Sequence, residues 1–167
     1  MGVAGCGKSS LGAEVAAALS MPLVEGDDFH SPENRSKMAQ GIALTDADRD
    51  GWLSRLGQEL HSHSGGQQTG VVLTCSALKH SYRQRLRAAS PGLRFVFMDI
   101  DRADAHARVA ARAARSTHFF SASLIDSQFA TLEVPTGEPG VLRVDALAPL
   151  AQLQTQVSTW LRTGDAA

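Results

Sequence analysis

The chain has only two cysteines, Cys6 and Cys75, no apolar run long enough to cross a bilayer, no internal repeat and no long low-complexity tract. Two thiols without metal-ligand spacing do not make a metal site, and with no secretory leader ahead of them they point to a reducing cytosol, so residence in the cytoplasm is expected. The missing apolar run leaves no helix to span a membrane. Charge of one sign is lacking too: sixteen Lys and Arg stand against seventeen Asp and Glu, a net charge of −1. No overall basic field therefore recruits nucleic acid or an anionic membrane, while a local basic pocket for a small anion stays open. At 167 residues the chain suits a single domain, 1–167, with a substantial core. One further scarcity is local. No apolar strand precedes the first motif, because Met1 stands one residue ahead of it.

That motif is Gly2-Val-Ala-Gly-Cys-Gly-Lys8-Ser9, which fits G-x-x-x-x-G-K-[ST]. Its glycines let the backbone bend tightly around phosphate oxygens, and the helix that follows presents unpaired N–H groups and a favourable dipole. Gly2, Gly5, Cys6, Gly7, Lys8, Ser9 and Ser10 are the expected nucleotide-binding residues. Lys8 supplies a catalytic charge to the β- and γ-phosphates, and the Ser9 hydroxyl is a ligand for Mg²⁺. ATP and Mg²⁺ are the expected cofactors. Cys6, a thiol at a helix N-terminus, also reads as readily oxidised. Leu11, Val15 and Leu19 mark the following helix by their four-residue spacing. In parallel sheets of this kind the strand feeding the loop is central, so the expectation is a first strand missing or truncated at the N-terminus.

Downstream the text alternates. Residues 21–28 read as a short strand ending in acid, where Asp27 faces the phosphate loop from a strand's carboxyl end or Asp27 and Asp28 merely cap the next helix. Residues 30–52 read as a polar helical insert in which Asp46 caps and Arg49 grips a carboxylate through its planar fork. Trp52 and Leu53 are expected in the core. His61 and His63 lie in a Gly/Ser-rich stretch and read as loop residues rather than a metal pair. Val71–Cys75 is a buried strand. Lys79 and Arg83, four apart just beyond it, are read as projecting from one helical face, suited to a carboxylate or a transferring phosphoryl group. Leu93–Asp101 is another strand whose Asp99 imitates a magnesium-binding acid. Residues 104–115 form an Ala/Arg-rich helix, 141–145 the last strand and 147–162 the last helix. Strands alternating with helices behind a phosphate loop give an α/β domain with a mainly parallel sheet and helices on both faces.

The residues Asp27, His30, Asn34, Lys37-Met38, Gly41, Leu44, Asp46, Asp48-Arg49 and Trp52-Leu53 follow a spaced pattern, and Cys75-Ser-Ala-Leu-Lys79 with Tyr82-Arg83 and Ser127-Gln-Phe-x-Thr-Leu-Glu133 extend it. In this the chain resembles the gluconokinases, P-loop sugar-acid kinases, over nearly its whole length. Ala43 and Gly51 stand where that family carries prolines, and Thr117 where it carries glycine. The resemblance implies a P-loop, nucleoside-monophosphate-kinase-like three-layer domain, a substrate-binding insert near 28–60 and a lid near 108–135. It implies ATP-dependent phosphorylation of gluconate to 6-phosphogluconate, with no nucleic-acid or membrane partner and a homodimer as assembly. Asp27 is then the residue that orients or deprotonates the acceptor hydroxyl. His30, Arg49, Lys79, Arg83, His118 and Gln128 bind substrate, and Arg112 or Arg115 stabilises the transferring phosphoryl group. Arg108 matches the family's first lid arginine by spacing. Two other readings share the loop and Asp27: a related kinase of a small acid such as shikimate, and a truncated nucleotide-binding protein with little or no catalysis.

Overall fold

The computed structural model describes residues 1–64, 70–114 and 122–164. Helix α1 (Lys8–Leu19) begins directly at the phosphate loop and buries Leu11, Val15 and Ala16. Strand β1 (Leu23–Glu25) runs into a 3-10 turn, Gly26–Phe29. Helix α2 (Pro32–Ala39) starts with proline in its first turn and with the Ser31 side chain accepting the Asn34 N–H. Helix α3 (Asp46–Ser62) starts with a reciprocal box in which Thr45 and Asp48 each cap the other's backbone N–H. The cap is therefore Thr45, and Asp46, expected to cap, is the first helical residue with its carboxylate free for other partners.

Strand β2 (Val72–Thr74), helix α4 (His80–Ala89), strand β3 (Phe95–Asp99) and helix α5 (Arg102–Ala113) follow, then α6 (Ala122–Thr131), β4 (Val141–Asp145) and α7 (Leu150–Thr163). Helix α6 was not anticipated. Helix α7 opens at Leu150 rather than Leu147, because Pro149 holds the extended conformation that precedes a first turn.

β1 pairs in parallel with β2, and β3 in parallel with β4. The backbone of Met1 and Gly2 joins the two pairs. The Met1 amino group donates to the Val96 carbonyl at 2.6 Å, the Met98 N–H donates to the Met1 carbonyl at 3.0 Å, and the Gly2 N–H donates to the Ser76 carbonyl at 3.1 Å. The layer order is thus β1, β2, the Met1–Gly2 stub, β3, β4. The expected central strand is present only as this stub, and it suffices to place the phosphate loop at the carboxyl ends of β1 and β2.

Helices cover both faces. α1 and α7 pack together on one, over a core that includes Val3, Cys6, Met98, Ile100 and Val157. α3 and α4 pack together on the other, over Leu56, Leu86, Phe95 and Phe97. Trp52 and Leu53 are buried there, 2% and 3% exposed, as their side-chain chemistry requires.

Candidate active site

The phosphate loop is shaped by what its glycines permit. Gly5 takes φ +85°, and a Cβ on it would lie 2.7 Å from the Ala105 carbonyl oxygen, so α5 can seat against the loop only if residue 5 has no side chain. Gly7 takes φ 97° and delivers the chain into α1, whose first N–H groups are aimed at the loop's interior. Lys8 folds back, its Nζ donating to the carbonyls of Gly2 and Val3 at 3.1 and 3.0 Å. Ser9 is held by an acid: its hydroxyl donates to Glu25 Oε2 at 3.1 Å, and the same oxygen accepts from the Thr74 hydroxyl at 2.5 Å. Glu25 is the last residue of β1 and was overlooked in favour of Asp27. Its place at a strand's carboxyl end was the signal that could have found it.

Three expectations about this loop change. The Cys6 side chain is fully buried in the core, 0% exposed, so peptide groups rather than the thiol face the phosphate site, and the thiol is shielded from oxidants. Gln128, expected to bind a polyol, instead accepts the Ala4 N–H on its side-chain oxygen at 2.6 Å and so braces the loop. Asp99 takes no part: its carboxylate pairs with Arg143 on the neighbouring strand at 2.5 Å.

Among the described lid arginines, Arg108 is the one that reaches the loop, with Nη1 3.5 Å from the Cys6 carbonyl. Arg112, one turn further along α5, is exposed. Arg115 and His118 lie outside the described residues.

Beside the loop, the 3-10 turn and α3 build a second set of groups. Gly26 lets the turn press onto β2, since a Cβ there would meet the Thr74 carbonyl oxygen at 2.3 Å. The indole N–H of Trp52 donates to the Gly26 carbonyl at 2.7 Å, and the Trp52 ring stacks on His30 with centroids 4.7 Å apart and planes 9° from parallel. Burial drives the pKa of His30 down to about 4, against the opposing pull of Asp27, so the imidazole is neutral at pH 7. Arg49, on the same helix as Trp52, is buried as well. Burial lowers its pKa, while Asp46, Asp27 and Asp48 work the other way. His30 Nδ1 and Arg49 Nε are both buried with no hydrogen-bond partner among the described residues. Asp27 is exposed and exerts its field on both of them. Two buried polar atoms left unpaired beside a carboxylate mark a place where a polar ligand completes the hydrogen bonding.

The insert is braced around this place. Asn34 donates to the Asp48 carbonyl at 2.6 Å and Lys37 pairs with the Asp48 carboxylate at 2.6 Å, holding its pKa down near 2. Lys79 caps α4 and donates to both Asp46 oxygens at 2.7 and 2.8 Å, and the Tyr82 hydroxyl donates to the same carboxylate. Burial first, and then the bond to Asp46, raise the pKa of Tyr82 and keep its hydroxyl protonated.

Lys79 and Arg83 were expected on one face, and the structure separates them. Arg83 is 1% exposed and wholly committed: it donates to the Glu138 carboxylate and to the carbonyls of Ala77, Leu78 and Glu133. No donor of its guanidinium remains for a substrate, so its task is to tie α4 to the 133–138 turn.

A glycine-rich loop feeding a helix N-terminus, an acid-anchored Ser9 and an arginine poised from α5, all at the carboxyl end of a parallel sheet, define a P-loop phosphotransferase fold with a nucleotide site. Residues 1–135 match the family described as AAA domain. The chain is 41% identical over 157 residues to the thermosensitive gluconokinase of Escherichia coli K12, covering 93% of this chain and 82% of that protein. It is 42% identical over 144 residues to the gluconokinase of Gluconobacter oxydans, covering 86% and 79%. The crystal structure of a gluconokinase from Sinorhizobium meliloti 1021 superposes with TM-score 0.81 at 40% identity, covering 99% of this chain and 94% of that one. The chain belongs to the gluconokinase family.

Proposed function

We propose that this chain transfers the γ-phosphoryl group of ATP to D-gluconate, giving 6-phospho-D-gluconate. The observation that carries the reading is the pair of unpaired buried atoms, His30 Nδ1 and Arg49 Nε, set beside Asp27 in a member of the gluconokinase family. A sugar acid offers what each lacks: a carboxylate for the Arg49 fork and hydroxyls for a neutral imidazole.

In this proposal the loop amides of Gly2–Ser10 hold the nucleotide phosphates, and Lys8 exchanges the Gly2 and Val3 carbonyls for phosphate oxygens. Asp27 accepts the proton of the attacking primary hydroxyl. Arg108 balances charge on the phosphoryl group in flight, with Arg112 and Arg115 further along the lid. The oxygen donors Ser9, Glu25 and Asp27 suit a hard cation, and Mg²⁺ held there would neutralise phosphate charge. Positioning and charge balance supply the rate, since phosphoryl transfer asks little covalent chemistry of the protein. The 28–60 insert holds the acceptor, and residues 108–135 act as the lid. Residence in the cytoplasm, which the two thiols without metal-ligand spacing favour, and a homodimeric assembly, which the family resemblance implies, complete the proposal.

The test is ATP-dependent formation of 6-phosphogluconate by the purified chain, with shikimate and other small acids as competing acceptors. Turnover with gluconate well above every other acid supports the reading. Preference for another acid, or nucleotide binding without turnover, overturns it.

A further inference from the structure

Trp52 does more than fill the core. Its indole N–H donates to the Gly26 carbonyl at 2.7 Å in a buried bond, and that carbonyl belongs to the peptide group entering Asp27. Its ring face stacks on His30, and the His30 N–H donates to the Asp27 carbonyl at 3.3 Å, which belongs to the peptide group leaving Asp27. One side chain thus holds the backbone on both sides of Asp27, at one end directly and at the other through a neighbour. The far side of the turn is closed by β2, against which Gly26 lies too close for a side chain. Asp27 itself is exposed, so a solvent-facing carboxylate stands on a backbone with little freedom to move.

The same helix carries the other anchor for the acceptor. Arg49 lies three residues before Trp52 on α3, on the same side and about 4.5 Å away along the axis. From α4, Lys79 and Tyr82 hold Asp46, and Arg85 holds Asp50 and Ser54, so this stretch of α3 is fixed on its other flank. Trp52 is the buried link between that fixed helix and the turn. Arg55, three residues on, adds a bond from Nη1 to the Phe29 carbonyl at 3.3 Å, but from the exposed rim, where a hydrogen bond holds less firmly than in the interior. Core packing alone would accept phenylalanine at position 52. An N–H aimed at one carbonyl, on a flat face parallel to an imidazole, asks for an indole.

We propose that Trp52 is a positioning residue for phosphoryl transfer: it sets the place of Asp27, which takes the proton of the acceptor hydroxyl, relative to Arg49, which grips the acceptor's carboxylate. The inference deepens the proposed reaction and rests on it for the roles of those two side chains. Trp52 touches no reacting atom and acts through Asp27. Reactive geometry tolerates little error, and a displacement of about 1 Å costs roughly a hundredfold in rate.

Two replacements test this. Trp52→Phe keeps an aromatic ring over His30 and removes the N–H donor. Benzothienylalanine at position 52 keeps the whole shape of the indole, with sulfur in place of the N–H, so it preserves the packing and isolates the hydrogen bond. Leu56→Val, buried one turn further along α3, controls for lost stability. In both replacements kcat is expected to fall roughly ten- to a hundredfold. The KM values for gluconate and ATP stay within about threefold, because Arg49, His30 and the phosphate loop keep their places. Hydrogen exchange at the His30 amide quickens roughly fivefold or more as the turn loosens. Leu56→Val lowers the thermal midpoint and leaves kcat and that exchange rate near those of the wild type. Unchanged kcat in the benzothienylalanine protein overturns the proposal and leaves the gluconate reading standing. So does a fall in kcat that Leu56→Val matches, which makes Trp52 ordinary core. A wild-type chain that prefers another acid overturns the gluconate reading alone, because the same comparison is then made with that acid. Unchanged exchange at the His30 amide overturns the proposal whatever the acceptor.

Discussion

The side-chain oxygen of Gln128 accepts the backbone N–H of Ala4 at 2.6 Å, tying α6 to the phosphate loop across 124 positions of sequence. A loop that must offer its amides to phosphates is more effective when its own geometry is fixed beforehand. Replacing Gln128 with Leu leaves the Ala4 N–H without its partner, at a cost of about 1–3 kcal/mol. ATP affinity measured by calorimetry is expected to fall roughly five- to a hundredfold on that basis. Gln128→Glu, which keeps an acceptor, recovers most of the loss. Unchanged ATP affinity in the Leu variant would show the bond to be incidental.

Arg108 is set apart from the other arginines of α5 by its reach to the Cys6 carbonyl. If it balances charge on the transferring group, Arg108→Ala lowers kcat by roughly a hundredfold or more, as removal of comparable electrostatic stabilisers does. Arg112→Ala, on an exposed turn, costs far less. Steady-state kinetics of the two variants decide the order, and a larger loss at Arg112 reverses the assignment.

Much of this was readable from one dimension, and the failures have physical causes. The phosphate loop, β1 to β4 and the helices with a clear apolar stripe announce themselves through local pattern, because backbone geometry and burial periodicity are local. Long polar side chains do not. Arg83, Lys79 and Gln128 all carry groups able to bind a sugar acid, yet two of them are spent on protein partners more than forty residues away, Glu138 and Ala4, which no spacing rule reveals. Glu25 stands two residues before Asp27 at the same strand end, and its oxygen shared with Ser9 and Thr74, a contact across 49 positions, is what distinguishes it.

The Arg83–Glu138 pair predicts an acid limit to stability. Arg83 first, then His80 and Arg87, hold the Glu138 carboxyl down to about 2. A carboxyl lowered on folding stabilises the native state above its unfolded pKa and loses that contribution as pH falls toward the folded value. Thermal midpoints are thus expected to drop between pH 4.5 and 2, and to drop less steeply in Glu138→Gln. At pH 7 the same variant, which leaves Arg83 buried without its counter-charge, loses about 3–5 kcal/mol. Chemical denaturation across this pH range measures both, and a parallel pH profile in the two proteins contradicts the pair's role.

His30 acts in a different window. Its pKa is lowered on folding to about 4 from 6.5, so the folded chain stays neutral there where the unfolded chain takes up a proton. Stability is full above pH 6.5, falls as pH drops through it, and levels off near 4, a loss of about 3 kcal/mol at most. His30→Phe keeps a ring against Trp52 and removes the titrating group. Its stability is expected to be flat between pH 6.5 and 4.5, above the region where Glu138 takes over. A wild-type slope that persists in the variant assigns the effect to another group.

The sharpest test of the acceptor site separates Arg49 from Asp27. Arg49→Lys preserves the charge but not the planar fork, so it should weaken the grip on a carboxylate while leaving the loop intact. The gluconate KM is expected to rise tenfold or more with kcat and the ATP KM little changed, the signature of lost uniform binding. Asp27→Asn removes the proton acceptor and keeps the size, so kcat should fall by roughly a hundred- to ten-thousandfold while the gluconate KM moves little. A variant pair in which both changes raise only KM would make Asp27 a binding group, and the hydroxyl's proton would then leave by way of solvent or a phosphate oxygen. The two buried atoms supply an internal check. Because His30 Nδ1 and Arg49 Nε are unpaired without ligand, gluconate that fills both positions should raise the thermal midpoint of the wild-type chain by mass action, and Arg49→Lys should lose most of that rise.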